Sequence, residues 1–125
     1  MSKAAQNLGD EAPGLCVGSV RLTGRAILAP MSGVTDVGMR RVAMDFGASL
    51  VVSEMVASDD YARGDAESRL RAEGEGVAPH CVQLAGCDPL WMAEAARLAE
   101  AAGADLIDIN MGLSLIHISE PTRPY

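Results

Sequence analysis

Four short apolar runs, 26–29, 50–53, 80–84 and 106–109, alternate with stretches of helical period along this chain. Runs of this length without polar alternation suit strands that are covered on both faces. Separated by amphipathic helices, they predict an α/β fold with a parallel sheet and right-handed crossovers. Two architectures satisfy that order, an open doubly wound sheet and a (β/α) barrel. The glycine-rich dinucleotide fingerprint and the P-loop, both at home in open sheets, are absent. Polar residues gather instead at or near the strand ends: Ser32, Glu54, Gln83 and Asn110. A barrel builds its site at the C-terminal ends of its strands, so this placement favours the barrel.

The intervening segments carry start and stop signals. Thr35 or Asp36 is placed to cap a helix whose apolar face would be Met39, Val42, Ala43 and Phe46, with Gly47 to end it. Asp88 and Pro89 open a second long helix with the stripe Trp91, Ala95, Leu98 and Ala102, ended by Gly103. Between them, 58–63 and 66–73 read as short helices broken near Gly64 and Asp65. Ahead of the first run, Thr23-Gly24 between two β-like stretches, 15–20 and 25–29, suggests a hairpin. Residues 1–14 are polar, without periodicity, and read as a loose leader.

Charge and cysteine usage narrow the function classes. With 125 residues the chain is long enough for one small domain, and its net charge of −7 is unlike that of a bare nucleic-acid-binding domain. Any RNA-binding surface must be local or lie elsewhere. No apolar run is long enough to cross a bilayer, and no signal peptide is legible at the N-terminus. Cys16, Cys81 and Cys87 form no zinc spacing, which suggests a reduced, cytoplasmic setting and no metal site. Cys81 lies in an apolar run, as a buried small hydrophobe would, and Cys87 in a loop. Arg40 and Arg41 read as a solvated helix face. Arg63, Arg69 and Arg71 are interleaved with acids and make no RNA patch. His80 reads as structural.

Three segments are more specific: Leu28–Asp36 followed by Arg40-Arg41; Val82–Gly86 followed by Asp88-Pro89; and Asp108–Gly112. Together with Val52–Val56, in this order and spacing, they make the chain resemble the bacterial tRNA-dihydrouridine synthases, most closely the B-type. The resemblance runs from Leu15 to Gly112. It implies the first half, about four β/α units, of a TIM (β/α)8 barrel, preceded by a short hairpin. It implies FMN at the barrel mouth, NADPH (or NADH) as reductant and tRNA as substrate, with no membrane, metal or protein partner. Reduced flavin passes a hydride to a uridine that has left its stack, and a cysteine protonates the other carbon of the double bond. By position, Pro30, Met31 and Ser32 match the loop against the flavin ring. Gln83 matches the glutamine that bonds the flavin's pyrimidine edge, which suits an amide's paired donor and acceptor. Asn110 matches the asparagine near flavin and substrate, and Glu54 is the weakest of the set.

The pattern then breaks. Where the family continues with cysteine and proline, this chain has Leu113, so no catalytic residue is assigned within it. Residues 113–125 resemble the translation of a sequencing adaptor, and the expectation is a non-native tail behind a partial barrel over 15–112. Two other functions fit less of the pattern. One is an FMN barrel oxidoreductase for a small molecule, of the dihydroorotate or enoate type. The other is a non-catalytic half barrel.

Overall fold

The computed structural model describes residues 14–112. Of the expected leader only Gly14 is among them, and the expected tail, Leu113 included, lies outside them.

The chain opens with a two-strand antiparallel hairpin, β1 (Cys16–Val17) and β2 (Val20–Arg21). Its turn is Gly18-Ser19, with Gly18 at φ +57°, a left-handed conformation in which a side chain would be strained. This corrects the expectation of a hairpin about Thr23-Gly24. Leu22, only 1% exposed, turns into the core behind β2, and the next strand pairs elsewhere.

That strand, β3 (Ile27–Leu28), lies parallel to β4 (Leu50–Val52), which lies parallel to β6 (His80–Ala85), which lies parallel to β7 (Leu106–Ile109). A short β5 (Val56–Ala57) adds to the C-terminal end of β6. The four long-range strands thus stand in chain order, each beside its predecessor. A doubly wound sheet reverses that order at a switch point, and a barrel does not. The expected first half of a (β/α) barrel follows from this order. Among the described residues β3 pairs only with β4, and β7 only with β6.

Alternate residues of β6 and of β7 face two different cores. Val82 and Leu84 join Val56, Tyr61, Ala95 and Ala99 in a layer between sheet and helices. Cys81 joins Leu50, Val52 and Leu22 on the other face, where the hairpin closes the N-terminal end of the barrel interior. The helices are α1 (Val37–Asp45), α2 (Ser58–Arg63), α3 (Ala66–Arg71) and α4 (Pro89–Ala101). Asp36 caps α1 through Met39 N, Asp65 caps α3 through Ser68 N, and Asp88 caps α4 through Leu90 N, each at 2.8 Å.

Two helix faces depart from the periodicity. On α1 the buried residue is Arg40, flanked by the half-buried Val37, Ala43 and Met44, while Met39, Val42 and Phe46 are exposed. Arg40 is therefore no solvated residue. Its Nε donates to Thr35 O (3.1 Å) and Asp36 O (3.3 Å), and its Nη2 to Arg71 O (3.3 Å) and Glu73 O (2.6 Å). The carbonyls of Arg71 and Glu73, together with those at the start of α1, draw that face inward and leave the apolar stripe exposed. On α4 the buried positions are Ala95 and Ala99, with Leu98 and Ala102 exposed. Small side chains let α4 sit close on β6, and the bulkier stripe rotates away.

Candidate functional site

The C-terminal ends of the parallel strands bring together the polar residues singled out above. The loop after β3 is shaped from within. Thr35, fully buried, accepts from Met31 N (2.9 Å) through Oγ1 and donates from the same hydroxyl to Met31 O (3.1 Å). Its backbone carbonyl takes the Arg40 guanidinium, so α1 anchors the loop. Burial lowers the Arg40 pKa from its ordinary value, against the pull of Asp36, Glu54 and Glu73, and the group stays charged. On the other side Glu54, only 8% exposed at the end of β4, accepts from Gly33 N at 2.5 Å. Between these two ties, Met31 and Ser32 face solvent and Pro30 is half-buried.

The second half of the mouth is a chain of amides. Gln83 and Asp108 are opposite each other in the β6–β7 register, and Gln83 Nε2 donates to Asp108 Oδ2 at 2.6 Å. Asn110 directs its Nδ2 toward Gln83 Oε1 (3.5 Å) and Met55 Sδ (3.4 Å), and its Oδ1 accepts from Gly112 N (3.1 Å). The Gln83 backbone amide donates to Ser53 Oγ (3.0 Å), whose hydroxyl donates to Glu54 O (2.9 Å). Both halves of the mouth therefore meet at the end of β4.

These contacts sort the expected residues. Gln83 and Asn110 sit together. Glu54 belongs to the support of the 30–35 loop and, through its backbone, of Gln83. Three residues of the arrangement were given no part in the site from the sequence: Asp108, Thr35, which read as a cap for α1, and Arg40, which read as solvated. A signal existed for Asp108, which stands two residues beyond Leu106, on the same strand face, beside Gln83. None existed for the burial of Arg40, which reaches the carbonyls of Arg71 and Glu73, more than thirty residues away in sequence.

Several other charged groups have partners of their own. Arg63 lies over the Trp91 ring, 4.9 Å from its centroid, and Arg71 pairs with Glu67 and donates to Met55 O (3.3 Å). His80 is buried at the N-terminal end of β6, with Nε2 at 3.0 Å from Ala72 O and a pKa lowered by burial. It lines a groove of about 790 Å³ with Tyr61, Arg69 and Leu98, at the far end of the strands from Gln83. A second groove, about 440 Å³, lies beside the mouth between Gly33, Glu54 and Arg71. Burial pushes the Cys81 thiol up to about 11, with Asp108 adding to the effect. No group of His, Cys, Asp and Glu among the described residues is arranged to hold a metal.

The mouth presents groups that could pair with the polar edge of a flat heterocycle. The Gln83 amide keeps a second N–H and a second lone pair beyond those bound to Asp108 and Asn110. Exposed methionines, Met31 and Met111, offer polarizable apolar surface on the loops around it.

The family model described as "Dihydrouridine synthase (Dus)" matches residues 27–113. A protein of Rhizobium leguminosarum bv. phaseoli, named "Probable tRNA-dihydrouridine synthase", is 58% identical over 88 residues, 70% of this chain and 28% of that protein. "tRNA-dihydrouridine synthase B" of Pseudomonas aeruginosa is 48% identical over 97 residues, 77% of this chain and 29% of its own length. A Rickettsia conorii protein, also named "Probable tRNA-dihydrouridine synthase", is 47% identical over 98 residues, 77% of this chain and 30% of its own. The chain spans less than a third of the length of these curated relatives.

Proposed function

The chain belongs to the dihydrouridine synthase family, and from that membership we propose that it forms the flavin-facing half of a tRNA-dihydrouridine synthase. Enzymes of this family are flavin-dependent. The observation that carries the reading is the Gln83–Asn110 amide pair, held at the strand ends opposite the loop of Pro30, Met31 and Ser32.

In this reading FMN is the cofactor, NADPH or NADH the reductant and a tRNA uridine the substrate, and the setting is cytoplasmic. No described helix is long and apolar enough to cross a membrane. Bound FMN supplies the hydride. The residues of this chain bind and orient. Gln83 would offer donor and acceptor to the ring's pyrimidine edge, Pro30–Ser32 would offer backbone to its face, and Asn110 would lie near ring and base. Glu54, Thr35 and Arg40 keep the loop in place. The second hydrogen must arrive at the uracil as a proton. Leu113, an alkyl side chain, carries no transferable proton at the position where the family pattern has cysteine. The 125-residue chain alone is thus proposed to be unable to complete the reduction.

Two measurements test this. Genomic DNA beyond the Gly112 codon should read cysteine–proline and continue for the rest of a barrel, whereas a stop or an unrelated frame there refutes the enzyme reading. Nucleoside mass spectrometry of tRNA from cells lacking the protein should show loss of dihydrouridine at one or more positions. Unchanged dihydrouridine refutes it equally. For tests on individual residues, a chimera with residues 27–112 of this chain in place of the matched segment of the Rhizobium leguminosarum relative supplies the rest of the barrel.

A further inference from the structure

Asp108 stands opposite Gln83 in the β6–β7 register and accepts from its side-chain amide. An ionised carboxylate only accepts hydrogen bonds, so the Gln83 amide must turn its nitrogen toward Asp108, at 2.6 Å, and its oxygen away. That oxygen lies 3.5 Å from Asn110 Nδ2, and Asn110 Oδ1 accepts from Gly112 N. Donors therefore run in one direction, from the Gly112 amide through Asn110 and Gln83 to the carboxylate. Gln83 is 8% exposed and its backbone is held by Ser53, so the side chain has little freedom to answer a ligand by turning. A charge-assisted bond of this length is worth more than the neutral contact at the other end, so Asp108 sets the orientation and Asn110 follows.

We infer that Asp108 is a positioning residue that determines which end of the Gln83 amide donates toward the mouth, and so which edge atoms of a bound heterocycle are paired. The inference rests on the flavin reading of the site. The pyrimidine edge of a flavin is an acceptor–donor–acceptor row, an N–H between two carbonyls. An amide can pair with the N–H and with either carbonyl, and its orientation decides which. A reversed amide shifts the ring sideways by one position, which matters where hydride transfer depends on sub-ångström placement.

The test measures binding of FMN, 2-thio-FMN and 4-thio-FMN to the chimera and its Asp108→Asn variant. Sulfur is a poor acceptor, so the analogue carrying it at the paired carbonyl should bind at least tenfold more weakly than the other. Asn at position 108 both donates and accepts, so it lets Gln83 take either orientation. The discrimination between the analogues should fall to threefold or less. A purely structural Asp108 would weaken all three ligands together and leave their ratio unchanged, and that result overturns the inference. So does equal binding of the two analogues to the unsubstituted chimera. If Asp108→Asn does not fold, Asp108→Ser, which also donates and accepts, carries the same expectation. A folded, unsubstituted chimera that takes up no flavin overturns the flavin reading itself, and the role of Asp108 with it. Flavin binding with an unaltered ratio in the variant overturns the role of Asp108 alone.

Discussion

The Glu54 carboxylate accepts the Gly33 amide at 2.5 Å, tying the end of β4 to the loop that follows β3. The two residues are 21 apart in sequence, and the carboxylate is almost wholly buried. A hydrogen bond to a charged group of this kind contributes about 1.5–3 kcal/mol. Glu54→Ala in the chimera should therefore raise the hydrogen-exchange rate of the Gly33 amide by roughly tenfold to a hundredfold. Glu54→Gln should recover part of the protection, because its carbonyl still accepts. An unchanged Gly33 rate in Glu54→Ala would show that the loop is held from the α1 side alone.

Arg40 ties the N-terminal end of α1 to the segment after α3. Its removal by Arg40→Ala leaves carbonyls of Thr35, Arg71 and Glu73 without their donor, at roughly 1–3 kcal/mol for each that stays buried. Arg40→Lys should recover little of the loss, since one ammonium cannot reproduce the planar fork that reaches both groups of acceptors. Urea denaturation of the chimera and both variants measures it. A stability within 0.5 kcal/mol of the parent for Arg40→Ala, the range of about ±0.5 usual for surface sites, would refute the structural role.

His80 makes stability depend on pH. Burial lowers its folded-state pKa below the ordinary 6.5, so the unfolded chain takes up a proton that the folded chain refuses. Stability from this source is complete above pH 6.5. It is lost as pH falls below 6.5 toward the folded-state value. His80→Gln, which keeps a donor for Ala72 O, should flatten the urea midpoint between pH 7 and the onset of carboxylate titration, about pH 5. A slope identical to the parent's would assign the dependence to other groups.

The cysteines should divide by burial. At pH 8 the Cys81 thiol, pushed up to about 11, is ionised in only about one molecule in a thousand, and it is also buried. Iodoacetamide followed by mass spectrometry should modify Cys16 and Cys87, both exposed, and spare Cys81 until guanidinium is added. Rapid labelling of Cys81 in the native protein would contradict its place in the barrel interior.

The outer face of α1 bears on the chain's behaviour alone. Phe46 is 89% exposed beside Val42 and Met39, and β3 and β7 each pair on one side only among the described residues. Unpaired edges and a contiguous apolar face promote association. The 125-residue chain is expected to associate with rising concentration in light scattering and to bind no stoichiometric flavin. Phe46→Ser should reduce the association. A monodisperse monomer with tight flavin absorbance would refute the expectation.

Local signals in the sequence determined much of this. The four apolar runs hold four of the five parallel strands, all but the short β5, and Asp36, Asp88 and Pro89 start helices where they stand. Gly47 and Gly103, at φ +100° and +102°, end them, because capping and left-handed backbone depend on neighbours a few residues away. Clustering of polar residues at strand ends was legible for the same reason. The tertiary structure decided which way the helices turned and which polar groups met. Arg40 is buried because carbonyls from Arg71 and Glu73 lie beneath it, and no periodicity within α1 encodes their positions. Gln83 points as it does because the β6–β7 register sets Asp108 opposite it. Register and burial follow from packing between distant segments, and a window of sequence carries only its own side of that contact.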